Sequence, residues 1–384
     1  MEKEDKKICV IGFGASGSMC ALFLSEKYKD ITLYDHSEPL KTILPTGGGR
    51  CNLSHAIFDI KELAQNYPRG EKFLYSIFSR FSVYDTLELF ENLKIKTYKQ
   101  ANGRIFPESN SSKDVREKIL KKIRHLKFKK EKVLNIIKQE SGYEIVSDKS
   151  REVFDTVVIA TGGHFGYSML KGLDINIIDP KPSLVGLKTK EDFIEISGVV
   201  LKNIKSKDIN ISDDVLFTHF GISGPLAYTI SSIFARKEHP YPLSFDLISE
   251  DYDLQKKLNE NPHKDIKNVL AELLPKNFIK YLLSKLNIPP ETKGHEINGK
   301  TRDKILNELH NFKITVSGTD RGEETVTSGG VDLKEVDPKT LMSKKHKNLY
   351  FCGEVLNIDG FCGGFNLQNA WSTAYIVSES IINN

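Results

Sequence analysis

Short apolar runs alternate with amphipathic stretches along this chain, and their spacing predicts a mixed α/β fold. Ile8, Val10 and Ile11 form a buried strand, a glycine-rich turn follows, and Met19, Leu22 and Phe23 recur at helical spacing. Ile31-Thr32-Leu33-Tyr34 reads as a second strand, Val157-Val158-Ile159 as another, and Leu349 to Cys352 as the last. Val115, Ile119, Leu120 and Ile123 share one face of a helix that Ser111 and Asp114 cap. Further on, Val199 to Ile204, Ile209 to Ile211, Leu216 to Phe220 and Ser244 to Leu247 are strand-like. Leu270, Leu273 and Leu274, then Ile279, Leu282, Leu283 and Leu286, recur three and four apart. Pro262, Pro275 and the Pro289-Pro290 pair break these helices. No internal repeat and no low-complexity tract interrupts the pattern.

At 384 residues the chain predicts two or three domains. No apolar run reaches the ~18 residues of a membrane-spanning helix. Residues 8–25 could pass for a signal-peptide core, but the preceding MEKEDKK is mixed in charge and three glycines interrupt the run. The five cysteines (Cys9, Cys20, Cys51, Cys352, Cys362) contain no CxxC, which argues against a disulfide framework or a zinc site. A cytoplasmic protein with reduced thiols and no metal is expected. Net charge is only +4, yet ten basic residues stand against Asp114, Glu117 and Glu131 between Lys113 and Lys132. That local +7 leaves −3 for the rest of the chain.

Gly12-Phe13-Gly14-Ala15-Ser16-Gly17 is a GxGxxG between strand and helix. Gly12 permits the turn, and Gly14 lets a pyrophosphate reach the N–H groups of the helix start at Ala15 and Ser16. Gly17 lets helix pack on strand. Asp35 ends the second strand 23 residues after Gly12, close to the spacing of a carboxylate that binds a ribose hydroxyl. These three contexts predict dinucleotide binding. The next segment, Thr46-Gly47-Gly48-Gly49-Arg50-Cys51-Asn52, clears side chains from a loop, as a bound flat ring or phosphate requires. Arg50 there offers bidentate hydrogen bonds to phosphate or carbonyl oxygens.

At this signature the chain resembles the BaiN/YhiN-like (RdsA-like) flavoproteins of the two-dinucleotide-binding-domain group. The resemblance continues at Gly103-Arg104-Ile105-Phe106-Pro107, Ala160-Thr161-Gly162-Gly163 and Phe217 to Pro225. It is strongest at Thr327 to Val331, Thr340 to Lys344, Leu349 to Glu354 and Asp359 to Gln368. It implies FAD as cofactor, held by Gly12, Gly14, Ala15, Ser16, Gly17, Asp35, Gly48, Gly49, Arg50, Cys51 and Asn52. Val133, Ala160, Thr161, Gly162, Gly353, Glu354, Gly364, Phe365, Asn366 and Leu367 complete the set. Glu354 would accept from a ribityl hydroxyl, and the helix from Gly364 would aim its N-terminus at the flavin N1/C2 edge. Two departures stand out: the loop after Gly163, His164 to Ser168, is short, and Cys362 stands where relatives often have Thr.

The implied fold is a Rossmann-like FAD-binding domain of glutathione-reductase type, residues 1–188 and 320–384. A β-barrel-like part (189–250 and 311–319) and a helical part (251–310) interrupt it. Cys51 has no partner five residues on, where Ala56 stands, which argues against a dithiol relay. Two roles for Cys51 stay open: a packed small residue beside the ring, or a general acid. His219 is a second candidate donor, with burial or a turn contact as its alternative. Tyr167, Asn52 and Asn366 are candidate hydrogen-bonding neighbours of the site. Without a second GxGxxG, NAD(P)H either approaches from the substrate side or another donor reduces the flavin. The resemblance implies reduction of an activated C=C, with a uridine of 23S ribosomal RNA as the leading substrate. RNA would use the basic 113–132 segment. The alternatives are a small-molecule enone or metabolite, and a flavin-binding sensor or assembly protein without turnover.

Overall fold

The computed structural model describes residues 6–163, 166–320 and 326–384. The chain divides into two units, Met1–Lys181 with Val326–Asn384, and Pro182–Thr325.

The first unit starts from a strand with no polar alternation, the signature of a strand covered on both faces. Strand β1 (Ile8–Ile11) is wholly buried. It leads through the glycine turn into helix α1 (Ala15–Leu24) and then β2 (Ile31–Asp35). Strands β3 (Ser54–His55) and β4 (Arg104–Pro107) pair antiparallel, with helix α2 (Val83–Asn92) between them in sequence. Helix α3 (Ser112–Ile123) begins as its sequence suggests: the Ser111 hydroxyl accepts from the Asp114 N–H. Then come β5 (Lys127–Lys130), an antiparallel meander of β6 (Val133–Lys138), β7 (Tyr143–Ser147) and β8 (Arg151–Phe154), and strand β9 (Thr156–Ile159). The chain's end supplies β10 (Leu349–Phe351) and the long helix α4 (Phe365–Asn383).

The main sheet is parallel, in the order β10-β9-β1-β2-β5. Val10 lies between Val158 and Leu33. The two ends of the polypeptide therefore share one sheet, and ligands of such sheets bind beyond the carboxyl ends of the central strands. Those ends carry Gly12, Ala160 and Gly353.

The second unit is a closed six-stranded barrel with helices. Around it run Leu187–Thr189, Gly221–Ser223, Ile211–Thr218, Val200–Ser206, Tyr241–Asp246 and Phe312–Thr319. The expected separate strands at 209–211 and 216–220 are one strand, Ile211–Thr218. Ile209 belongs instead to the preceding turn, where Asn210 takes φ 53°. A helix, Pro225–Ile233, begins directly after Gly224, which takes φ 89°. Barrel and helices share a single apolar core that joins Phe217 and Phe312 to Phe278 and Leu282.

Candidate functional site: a dinucleotide cradle at the strand ends

The GxGxxG works by exclusion. A Cβ on Gly12 would stand 2.2 Å from the Ala160 carbonyl oxygen, and one on Gly17 would stand 1.9 Å from the Gly12 oxygen. Both glycines are thus required for α1 to lie against β1 and β9. Gly14 caps α1 with no side-chain hydrogen bond, leaving the first N–H groups to a ligand. A Cβ on Gly353, where φ is 78°, would meet the Ser16 hydroxyl at 2.4 Å. The chain's last strand therefore ends against the start of its first helix. Asp35 accepts from the Phe13 N–H at 2.7 Å and from Ser37, which holds its carboxylate beside the turn.

The triple-glycine segment is a short helical turn, Thr46–Gly49, with left-handed backbone inside it. Gly47, Gly48 and Gly49 take φ 59°, 68° and 83°, and Cys51 takes φ 66°. Nothing lies within 4 Å of a Cβ built on Gly48 or on Gly162. These positions face open space in a conformation that L side chains rarely adopt. Arg50 donates from Nε to the Gly47 oxygen at 3.0 Å and lies over the Phe106 ring. Cys51 is fully buried, and burial pushes its thiol up to about 12 against a weaker opposing bond from Thr46. Its thiol is neutral at physiological pH, which is compatible with either of its two roles.

The carboxyl-terminal half of the site is fastened to the amino-terminal half by buried polar bonds. Gln368 accepts from the Ser54 hydroxyl at 2.5 Å and donates to Thr86, Ser372 and the Ser82 carbonyl. The Trp371 indole N–H donates to Leu53 O, and the Tyr67 hydroxyl to Phe365 O. Asn366 bonds Gly360 through both ends of its amide, so it shapes the preceding turn. Leu367 lies half-buried in the first turn of α4. Glu354 accepts from the Thr327 N–H at 2.7 Å. Burial first, and then the charge of Asp359, raise its carboxyl to about 7.

Val133 opens β6, opposite Ser147. His219 is exposed at a turn of the second unit, its ring edge-on to Phe220. His164 and Phe165 lie outside the described residues. Sequence reasoning missed His55. Its ring stacks on Phe365 at 4.8 Å, and its Nδ1 donates to Gly363 O at 3.0 Å. Burial lowers its pKa, which favours the neutral ring.

The model of the HI0933-like protein Rossmann domain matches residues 6–380. The chain belongs to the HI0933-like Rossmann family. A curated relative from Escherichia coli K12, "Ribosomal RNA dihydrouridine synthase", is 28% identical over 398 residues, 97% of each chain. Another, "3-dehydro-bile acid delta(4,6)-reductase" from Clostridium scindens, is 28% identical over 409 residues, 97% of this chain and 98% of that one. Among solved structures, the Mycobacterium smegmatis Sdh1 complex has a TM-score of 0.51 at 11% identity. It matches 100% of this chain and 69% of its own, and shows the fold alone.

The family is one of FAD-dependent oxidoreductases, and FAD is the cofactor of this chain. The residues present fit it. Besides the open glycines, the buried Asn52 Oδ1 and Thr161 Oγ1 have no partner among the described residues. Leaving such atoms unbonded is costly, and a ligand with amide and hydroxyl donors satisfies them.

Proposed function

We propose that this FAD-dependent oxidoreductase saturates the C5=C6 bond of a uridine in ribosomal RNA, giving dihydrouridine. The observation that carries the RNA reading is a band of cations on the first unit. Lys113, Lys121, Lys122, Arg124 and Lys132 are exposed and make no ion pair among the described residues. The remaining basic residues of that segment are mostly engaged: Lys118 with Asp114, Lys127 and Lys129 with Glu152, and Lys130 with Glu38. Arg116 donates to the Pro39 carbonyl. Five outward charges remain for phosphate neutralisation. The name of the Escherichia coli relative agrees with this reading.

Bound FAD supplies the hydride. The chain's own residues bind and orient. The N–H groups at Ala15 and Ser16 and the Arg50 guanidinium suit phosphate, and Asp35 and Glu354 suit hydroxyl groups. The first turn of α4 offers N–H groups to an electron-rich edge. A uracil base reaches such a site only unpaired or extruded from its helix.

A small conjugated enone is the second reading, favoured by the bile-acid relative at equal identity. The test incubates reduced enzyme with ribosomal RNA from cells lacking the gene, and separately with steroid-like enones. Nucleoside mass spectrometry should show one uridine gaining two hydrogens. Enone turnover with unchanged RNA would transfer the activity to small molecules.

A further inference from the structure

Reducing a conjugated C=C needs a hydride at one carbon, a proton at the other and a positive group near the carbonyl oxygen. The described proton carriers of the first unit differ sharply in access. Cys51 is buried with its thiol pushed up, and Tyr167 is likewise pushed up by burial and by Glu354. The remaining thiol at the site is Cys362. It is exposed, one residue before the glycine pair that opens α4, whereas the other four cysteines are buried.

Three side chains converge on that turn. His55 and Arg104 are register partners across β3 and β4. His55 bonds Gly363 O, while the Arg104 Nη2 lies 3.9 Å from Cys362 Sγ. Arg104 is half-buried and pairs with no carboxylate among the described residues, so its positive charge is available at the turn. The turn also borders the cofactor's site. Asn52 is 8% exposed, its Oδ1 has no partner, and that oxygen would stand 2.9 Å from a Cβ on Gly364.

We propose that Cys362 and Arg104 form the substrate half of the active site, Cys362 as proton donor and Arg104 as carbonyl clamp. The assignment rests on the C=C reductase reading. The alkene carbon beta to the carbonyl receives the hydride of the reduced cofactor. The Cys362 S–H bond breaks, and its proton goes to the alpha carbon. Two C–H bonds replace the π bond, and solvent returns a proton to the exposed thiolate. Arg104 stabilises both the enolate oxygen and the thiolate as each gains charge. His55 is a positioning residue that holds Gly363 and thereby the turn.

The test compares the wild-type holoenzyme with Cys362→Ala, Cys362→Ser and Arg104→Gln. FAD content should stay equal in all four. Reoxidation of the reduced enzyme by its acceptor, RNA or enone, should slow roughly 100-fold in each variant, while reoxidation by oxygen stays unchanged. Independently of turnover, alkylation of Cys362 by iodoacetamide at neutral pH should fall about tenfold in Arg104→Gln as the thiolate loses its countercharge. Acceptor rates within about twofold of wild type in Cys362→Ala would remove the proton donor. An unchanged alkylation rate would remove the pair, whatever the substrate. A wild-type enzyme that reduces neither acceptor would overturn the reductase reading instead, with the alkylation result still judging the pair.

Discussion

Glu354 is where burial and chemistry pull hardest against each other. Its sequence position, directly after a strand and a glycine, marks it as a hydroxyl acceptor. The structure adds that burial and the neighbouring Asp359 raise its pKa to about 7, despite the opposing Thr327 N–H. In the unfolded chain it ionises near pH 4.5, so between these values the folded state holds a proton that the unfolded state has lost. Stability of the flavin-free protein is therefore highest below pH 4.5 on this account and falls as pH rises through 7. The loss is of order 2–3 kcal/mol. Glu354→Gln cannot ionise, and chemical denaturation of its flavin-free form from pH 5 to 8 should lack that component of the decline. Residues of this kind were legible because their reasons are local. Gly17 must be glycine because the Gly12 carbonyl, five residues earlier, stands where its side chain would be. His55 was not legible, because its role exists only once Gly363 and Phe365 arrive from the far end of the chain.

Elements were legible where their periodicity is strong and their ends are marked. The five parallel strands begin with β1, whose apolar run gives it away, and α3 carries its own serine cap. The meander of β6 to β8 escaped notice because only a third of its residues are buried and polar positions dilute the pattern. What no local pattern reveals is the polar joint that seats α4. Gln368 sits in a helix where its amide could as well face water, yet it is fully buried and bonds Ser54, Thr86 and Ser372. Gln368→Leu keeps the volume but leaves those three hydroxyls without this partner in an apolar setting. The expected cost is about 3 kcal/mol in chemical denaturation. FAD occupancy should fall as well, since the first turn of α4 loses its tie to the residues after Asn52. A variant that keeps wild-type stability would show the network to be incidental.

At the scale of the whole molecule, the total charge of +4 conceals the feature that matters. Counting residues could locate the basic segment but not its free charges, because Glu38 reaches it from the loop after β2 and Glu152 from β8. Likewise, residues 189–319 read in sequence as two parts, while the barrel and helices enclose one core. Periodicity identifies an element's buried face without saying which faces share a core. The free cations make a quantitative claim about RNA. Replacing Lys121, Lys122 and Arg124 with Gln removes three phosphate contacts, so the slope of log affinity against log salt should decrease by about 2 for single-stranded RNA. FAD content should not change. Lys264, Lys267 and Lys293 provide the control, since each already pairs with a carboxylate of the second unit. Their replacement changes net charge equally, yet it should leave the slope near wild type. Equal effects from both triplets would mean that RNA responds to overall charge, and that the 113–132 segment has no special place in binding it.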